Sequence, residues 1–583
     1  MLFKLNRDFT ATYLPIVILV LFAFTMGFYF SGQFSVFETH DNSLITNPAW
    51  RMVNGHIPFR DFGLIQGLTP ALFEALFIAC FGVNLTSLML HVAIVNVGAT
   101  LLSYAILLIV GLSRKVALIF AALTAIIFYP PQGLAFSVQH GTLMMMIALL
   151  LALLANYRLQ SFKTRSGAWF GCGLAMAFAF LSKQTLGLFL PGILMLMLCN
   201  DYHRYPSTFL FVIFGGILPF LILLLFAGAD IHAVTRMIHY LFILPWEFGG
   251  SRLDADLNEA LVIYELAITP TIVATIAITF SGNIMFFKNM IARANGEILI
   301  YLNHHKTPLV LLGVGVMWLI GNVCLARIHH WDANLLLQSI FLASGVTLAG
   351  FLALIGAIEE GTQCNSTKSG PTVVVLILCF IALYDGWWAY ANIVKHRGIR
   401  TVGSVFSTRL DTKDTSLFPE IKNARFREFS FRNITERHIT KAFIERDIKL
   451  KSQQISFLRT FSETFIILGF PKIIQIFAGK IDPLPVIAIQ PGASSTYRDS
   501  IAFPKLIADL ERNINHFNVK GLIIAKNNFS IHQDYIEAHR KIFCTVEDAE
   551  IAAVIRFCAV NSLPTGYGSI VGHILNLDGP LYK

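Results

Sequence analysis

Apolar runs of membrane-spanning length recur along the first two-thirds of this chain and limit what it can become. A helical span needs about 20 apolar residues. Runs of that kind lie near residues 10–30, 87–112, 116–129, 140–156, 167–181, 185–199, 207–227, 261–282, 307–325, 334–357 and 371–392, eleven in all. Inside hydrocarbon each backbone amide must be satisfied within its own segment, so each run is predicted to be a helix. The expected fold is mainly α, a polytopic bundle of about 11 transmembrane spans.

The charges divide the chain in two. Residues 395–583 carry 26 Lys and Arg and 18 Asp and Glu, while residues 1–394 carry only 18 and 17. With 14% charged residues overall and a mean hydropathy of +0.65, the chain cannot clothe a water-facing surface throughout; soluble domains carry roughly 25%. A transmembrane domain over 1–394 and a water-soluble domain over 395–583 follow, and disorder, free secretion and a cytosolic location are excluded. In the tail, Thr464–Gly469, Val486–Ile489 and Gly521–Ala525 are apolar runs around a helical stretch near 503–515, which reads as a small α/β unit. Of the net charge of +9, +8 lies in 395–459, beside the last span, where 15 Lys and Arg face 7 Asp and Glu. Anionic headgroups are the nearest partner there, and nucleic acid is not expected.

The first span follows Lys4 and Arg7 and has no small-residue cleavage site behind it, so it reads as a retained anchor. Lys and Arg favour the cytoplasmic side. With the N-terminus inside, the inner segments collect twelve Lys and Arg and the outer segments six. Eleven spans then put the tail outside, although Lys395, Arg397 and Arg400 run against the rule. The expected location is the plasma or inner membrane, multi-pass, with the N-terminus cytoplasmic and the C-terminal domain extracytoplasmic.

Polar residues gather in the outer segments, above all in the first outer loop, 31–86, which includes FETHDNSLITNPAWRMVNGHIPFRDF. Asn47 and Pro48 can start a short helix that Gly55 ends, with Ile45, Ala49, Met52 and Val53 on one interfacial face. Glu38 and Asp41 sit at the membrane surface, where a carboxylate either pairs with a cation or serves as a base. In the long loop 228–260, Trp246, Glu247, Phe248, Arg252, Asp254 and Asp256 are read either as a lid or as a headgroup-facing segment. None of the eight cysteines has zinc-type spacing. Cys544 and Cys558 can bridge in an oxidising compartment or remain two buried thiols.

Asp41, then Gly55, then Ile57-Pro58-Phe59-Arg60-Asp61-Phe62 resemble the first periplasmic loop of the GT-C glycosyltransferases. These include the protein O-mannosyltransferases and the lipid A aminoarabinose transferase. Leu181-Ser182-Lys183-Gln184-Thr185 resembles a second motif, and Arg327 with His329, His330, Trp331 and Asp332 a third. Ile476–Lys480, Gln490-Pro491-Gly492 and Leu506–Glu511 resemble the family's periplasmic domain. Asn42 replaces the second acid of the family's pair, and the stretch from Tyr129 to His140 lacks a carboxylate.

The resemblance implies a sugar transferred, with inversion, from a polyprenyl-phosphate carrier to an extracytoplasmic acceptor. It makes Asp41 the general base and implies no cofactor. A phosphate leaving group needs cations rather than an acid. Arg60, Lys183 and Arg327, three of the six outer basic residues, are the carrier-phosphate candidates. Lys183 could instead snorkel to the interface, and Arg60 could pair with Asp61 or Glu38. Glu38, Asp61, His140, His329 and Asp332 are secondary candidates, and no metal site is expected, because adjacent imidazoles such as His329 and His330 point apart. Two rivals are a transporter or flippase of lipid-linked sugars and a non-catalytic scaffold.

Overall fold

The structure is a computed structural model, and it describes residues 2–31, 39–64, 67–128, 136–200, 207–229, 231–245, 306–328, 339–362 and 441–468, most of 470–484, 503–526, and parts of 534–574. Its helices are α1 (Leu2–Ser31), α2 (Thr39–Val53), α3 (Leu68–Phe81), α4 (Leu85–Ile109), α5 (Arg114–Ile127), α6 (Ser137–Tyr157) and α7 (Phe162–Ser182). A 3-10 turn, Gln184–Phe189, leads into α8 (Leu190–Asn200). Next come α9 (Ser207–Phe226), α10 (Ile231–Ile238) with a π-turn at His239–Ile243, α11 (Lys306–Ile328) and α12 (Ile340–Thr362). Nine of the eleven expected spans coincide with helices, while 261–282 and 371–392 lie outside the described residues. By length and composition, the stretches Thr86–Ile109, Ser137–Tyr157 and Phe209–Phe226 are each long and apolar enough to cross a bilayer.

The bundle core runs through α4 to α8 and on to α11 and α12, with Trp169, Trp318, Phe120 and Phe128 fully enclosed. Helix α9 turns Phe214, Leu221, Leu225 and Phe226 outward. An exposed apolar face of that kind belongs against lipid.

The first outer loop departs from its expected form. Its helix starts at Thr39, eight residues before Asn47, and Pro48 lies inside it. An interior proline costs a helix roughly 3 kcal/mol. Burial of Ile45, Thr46, Asn47 and Ala49 offsets that cost. The Ile45–Ala49 face meets protein, because α2 packs on α3 and on the tail; Val53 is exposed. A second helix, α3, also occupies the loop.

The tail contributes α13 (Lys441–Arg459), β1 (Ile466–Leu468), α14 (Lys472–Phe477), α15 (Phe503–His516), β2 (Gly521–Ala525), β3 (Phe543–Asp548) and β4 (Ala552–Phe557). The sheet order is β1-β2-β4-β3, with β1 parallel to β2 and the other pairs antiparallel. Ile467, Ile523 and Val554 face α13 and α14, while Ile466, Leu522, Ile524 and Ile555 face α15. Strands buried on both faces read as unbroken apolar runs, as these do. The expected run Val486–Ile489 lies outside the described residues. Cys544 and Cys558 are joined in a disulfide across β3 and β4. Met89 of α4 shares the tail's first core, with Phe28 and Val83 packed beside it. The sheet therefore sits on one end of the bundle.

Candidate functional site

At that end, α2, α3, α6, α7 and the tail meet. Gly67, with φ +88°, opens α3, and its N–H donates to the Ser182 carbonyl at 2.8 Å. A Cβ there would stand 2.9 Å from Ile45 Cδ1 and 3.4 Å from Ser137 Oγ, so only glycine lets α2 close over the first turn of α6. On Gly141, a Cβ would meet Ser182 Cβ at 3.1 Å. The starts of α3 and α6 and the end of α7 thus converge.

Asp41 is the third residue of α2. Lys183 ends α7 with extended backbone, its N–H donating to the Ala179 carbonyl at 2.9 Å, and its side chain is half-buried. The second motif is thereby brought beside the first loop. Arg327 is the penultimate residue of α11. Glu38, His329, His330, Trp331, Asp332 and the Trp246–Asp256 segment lie outside the described residues.

Arg60 and Asp61 form the pair that the sequence left open. Arg60 Nε and Nη2 each donate to one Asp61 carboxylate oxygen at 2.9 Å. The Ile57 N–H donates to Asp61 Oδ2 at 2.7 Å. Burial alone would raise the Asp61 pKa; the bonds from Arg60 and Ile57, with the Arg60 charge, hold it below the usual carboxylate range. The same bond to Asp61 raises the pKa of Arg60. The Arg60 side chain keeps 46% of its surface exposed, which leaves the guanidinium reachable.

The backbone of this turn is held by the tail and by α10. The Asp61 carbonyl accepts from Arg51 Nη2 at 3.3 Å and Asn513 Nδ2 at 2.9 Å. The Arg60 carbonyl accepts from Arg512 Nη2 at 3.1 Å and from Arg236 Nη1. Arg51 Nη1 donates to the Leu484 carbonyl at 2.6 Å, and Trp50 Nε1 to that of Lys480 at 3.0 Å. Phe59 has φ +64°, an uncommon conformation for an aromatic residue. Burial of Phe59 and Phe62 in a cluster with Tyr240 and Leu241 holds it there. Burial, reinforced by the charge of Asp509, raises the pKa of the Tyr240 phenol.

His140 belongs to a second network. Its Nδ1 donates to the Phe136 carbonyl at 2.9 Å, and its Nε2 faces His91 Nε2 at 2.7 Å. His91 Nδ1 meets Glu74 Oε2. All three side chains are fully buried, with Phe73 and Phe77 stacked on His91. Because a carbonyl only accepts, neutral His140 carries its proton on Nδ1, and His91 must then donate through Nε2. One proton is left between His91 Nδ1 and Glu74. Glu74 Oε1 and both polar atoms of the buried Gln139 amide have no hydrogen-bond partner. Among the described residues, no group of three or more His, Cys, Asp or Glu is arranged to hold a metal ion.

Sequence reasoning missed Glu74, His91, Arg51, Arg236, Asp509 and Asn513. Glu74 carried a signal, being a carboxylate inside the apolar stretch Leu68–Phe81. His91 carried the same signal inside the apolar run 87–112; Arg51, Arg236, Asp509 and Asn513 carried none, their partners lying up to 452 residues away.

Residues 66–227 match the family of dolichyl-phosphate-mannose-protein mannosyltransferases. No curated protein matches the chain. Among solved structures, the apo oligosaccharyltransferase of Archaeoglobus fulgidus aligns at 13% identity and TM-score 0.42, covering 90% of this chain and 71% of that one. Its complex with Zn and sulfate aligns at 13% identity and TM-score 0.37, covering 90% and 69%. Likenesses this loose establish no residue correspondence. The match over 66–227 spans α3 to α9, including the α3, α6 and α7 segments of this junction, and it supports a GT-C glycosyltransferase.

Proposed function

We propose that this chain transfers a sugar, with inversion, from a polyprenyl-phosphate carrier to an acceptor on the outer face of the membrane. Asp41 takes the acceptor's hydroxyl proton. Lys183 and Arg60 are assigned to the carrier phosphate, with Arg327 as the third cation. The observation that carries this reading is the convergence of α2, which bears Asp41, with the end of α7, which bears Lys183, around Gly67. The segments that carry the proposed base and the proposed cation come from separate parts of the chain and are joined at Gly67. Positioning of this kind, with charge stabilisation of the departing phosphate, is most of what the reaction needs.

Two observations support an outer location for the tail. Its contacts with residues 50, 51, 60 and 61 place it on the same side as the first loop. The Cys544–Cys558 disulfide suits an oxidising compartment. An alkaline phosphatase fused after Lys583 should be active.

The deciding experiment incubates purified protein with labelled polyprenyl-phosphate mannose and a cell-envelope fraction as the acceptor source. Release of free polyprenyl phosphate measures turnover. Asp41→Asn should leave carrier binding nearly intact and reduce turnover by about 10²-fold or more. Normal turnover in Asp41→Asn with a dead Glu38→Gln would move the base to Glu38.

The transporter or flippase reading draws on the buried Glu74–His91–His140 network, since ionisable groups inside a bundle often mark transport paths. His91 and His140 lie in the first two turns of α4 and α6, however, at the junction rather than at mid-span. Movement of labelled carrier across a vesicle bilayer without sugar transfer would favour that reading.

A further inference from the structure

We infer that the turn Pro58–Phe62 is the docking socket of the C-terminal domain, and that Arg236 and Asp509 are positioning residues which hold α2 and Asp41 in place for transfer. The inference rests on the glycosyltransferase reading for its last step only.

Two adjacent backbone carbonyls carry the contact. The Arg60 carbonyl takes bonds from Arg236 on α10 and Arg512 on α15, and the Asp61 carbonyl from Arg51 on α2 and Asn513 on α15. Each carbonyl has two lone pairs, so each is saturated. Arg236 Nε also donates to both Asp509 carboxylate oxygens, at 3.0 and 3.1 Å. This ion pair, Arg51 and Asn513 are all buried. Asn513 reaches the Pro483 carbonyl at 2.9 Å as well, which ties α15 to the strand of chain that Arg51 holds at Leu484. Arg51 finally lies over the Phe62 ring, 4.4 Å from its centroid.

Buried polar contacts of this kind are directional. A partly satisfied network is worse than an apolar surface, so the socket accepts the tail in one pose. Phe59 in the left-handed region aims the two carbonyls, a backbone conformation that persists only where its surroundings enforce it. Helix α2 runs into this turn through Asn54–His56, and Asp41 lies about 15 Å up the same helix from Arg51. Moving the turn moves the base. The tail is therefore a working part of the transfer site rather than an appendage.

The test uses the full-length protein and two readouts. His56 and Phe517 stack with ring centroids 4.5 Å apart across the contact. In a His56→Cys/Phe517→Cys chain, a short bismaleimide should link the two positions, as read by the mass of the joined peptides. Turnover and carrier affinity are measured without the cysteine pair. Adding Asp509→Ala should reduce linking and turnover together, each by roughly 10-fold or more, with carrier affinity unchanged. Arg236→Lys should retain only part of both, because a point charge replaces the planar fork.

If Asp509→Ala fails to fold, Asn513→Ala replaces it, since it removes two carbonyl bonds and strands no charge. Linking lost with turnover kept would overturn the positioning role. Turnover lost with linking kept would show an effect that bypasses docking, and would also overturn it. Unchanged values of both would remove the socket altogether. If the unmodified protein transfers no sugar from polyprenyl-phosphate mannose, the functional reading is in trouble, while the linking arm still tests the socket.

Discussion

Arg236 and Asp509, 273 residues apart, form a buried ion pair whose arginine also donates to the carbonyl of Arg60. Through this one guanidinium, α10, the first outer loop and the tail meet. Removing one partner of a buried pair costs about 3–5 kcal/mol, because the other charge is left without compensation. Asp509→Ala should therefore lower the thermal midpoint in detergent well beyond any exposed substitution. Lys526 and Asp548, paired at the surface, provide the contrast: Asp548→Ala should cost about 1 kcal/mol or less.

The Glu74–His91–His140 network makes a prediction from proton counting. With the His140 Nδ1 proton on the Phe136 carbonyl and the His91 Nε2 proton on His140, one proton lies between Glu74 and His91. Glu74→Gln can supply an N–H in its place and keep the set neutral. It should fold within about 1 kcal/mol of the unmodified protein, whereas Glu74→Ala leaves His91 Nδ1 unsatisfied at a cost of about 1–3 kcal/mol. Equal damage from both substitutions, read by thermal unfolding, would mean a carboxylate–imidazolium pair instead.

Asp61 should limit stability in acid. Its pKa is held below the ordinary value by Arg60 and the Ile57 N–H. A group depressed in the folded state contributes stability that is full above its unfolded pKa, about 3.9. That contribution is lost as pH falls through the lower folded value. Unfolding midpoints between pH 5 and pH 2 should fall more steeply for the unmodified protein than for Asp61→Asn. Parallel curves would show that Asp61 does not titrate in this window.

Lys183 separates phosphate binding from snorkelling. A charge-assisted bond to the carrier phosphate is worth about 1.5–3 kcal/mol, so Lys183→Ala should weaken polyprenyl-phosphate binding roughly 10- to 150-fold. Lys183→Arg should recover only part of it. Full recovery by arginine, or unchanged affinity in Lys183→Ala, would remove this side chain from the site.

What the sequence determined by itself was the part governed by solvent. The hydrocarbon core demands apolar helices, and nine expected spans meet helices near their expected places. Apolar runs at 464–469 and 521–525 marked β1 and β2, because strands buried on both faces need no alternation. Only the tertiary structure decided what happens where segments distant in sequence share a desolvated surface. Helix α2 begins at Thr39 and tolerates Pro48 because α3 and the tail bury it; no local propensity reports that. The strands β3 and β4 escaped notice because β3 is an exposed edge whose partner defines it. By sequence Arg60 could pair with Asp61 or Glu38, and the fold pairs it with Asp61. Arg51, Arg236, Asp509 and Asn513 look like ordinary surface residues in the sequence. They become the joint of the molecule because burying a backbone carbonyl requires a donor: the fold delivers Arg51, Arg236 and Asn513 from 10 to 452 residues away, and Asp509 holds Arg236.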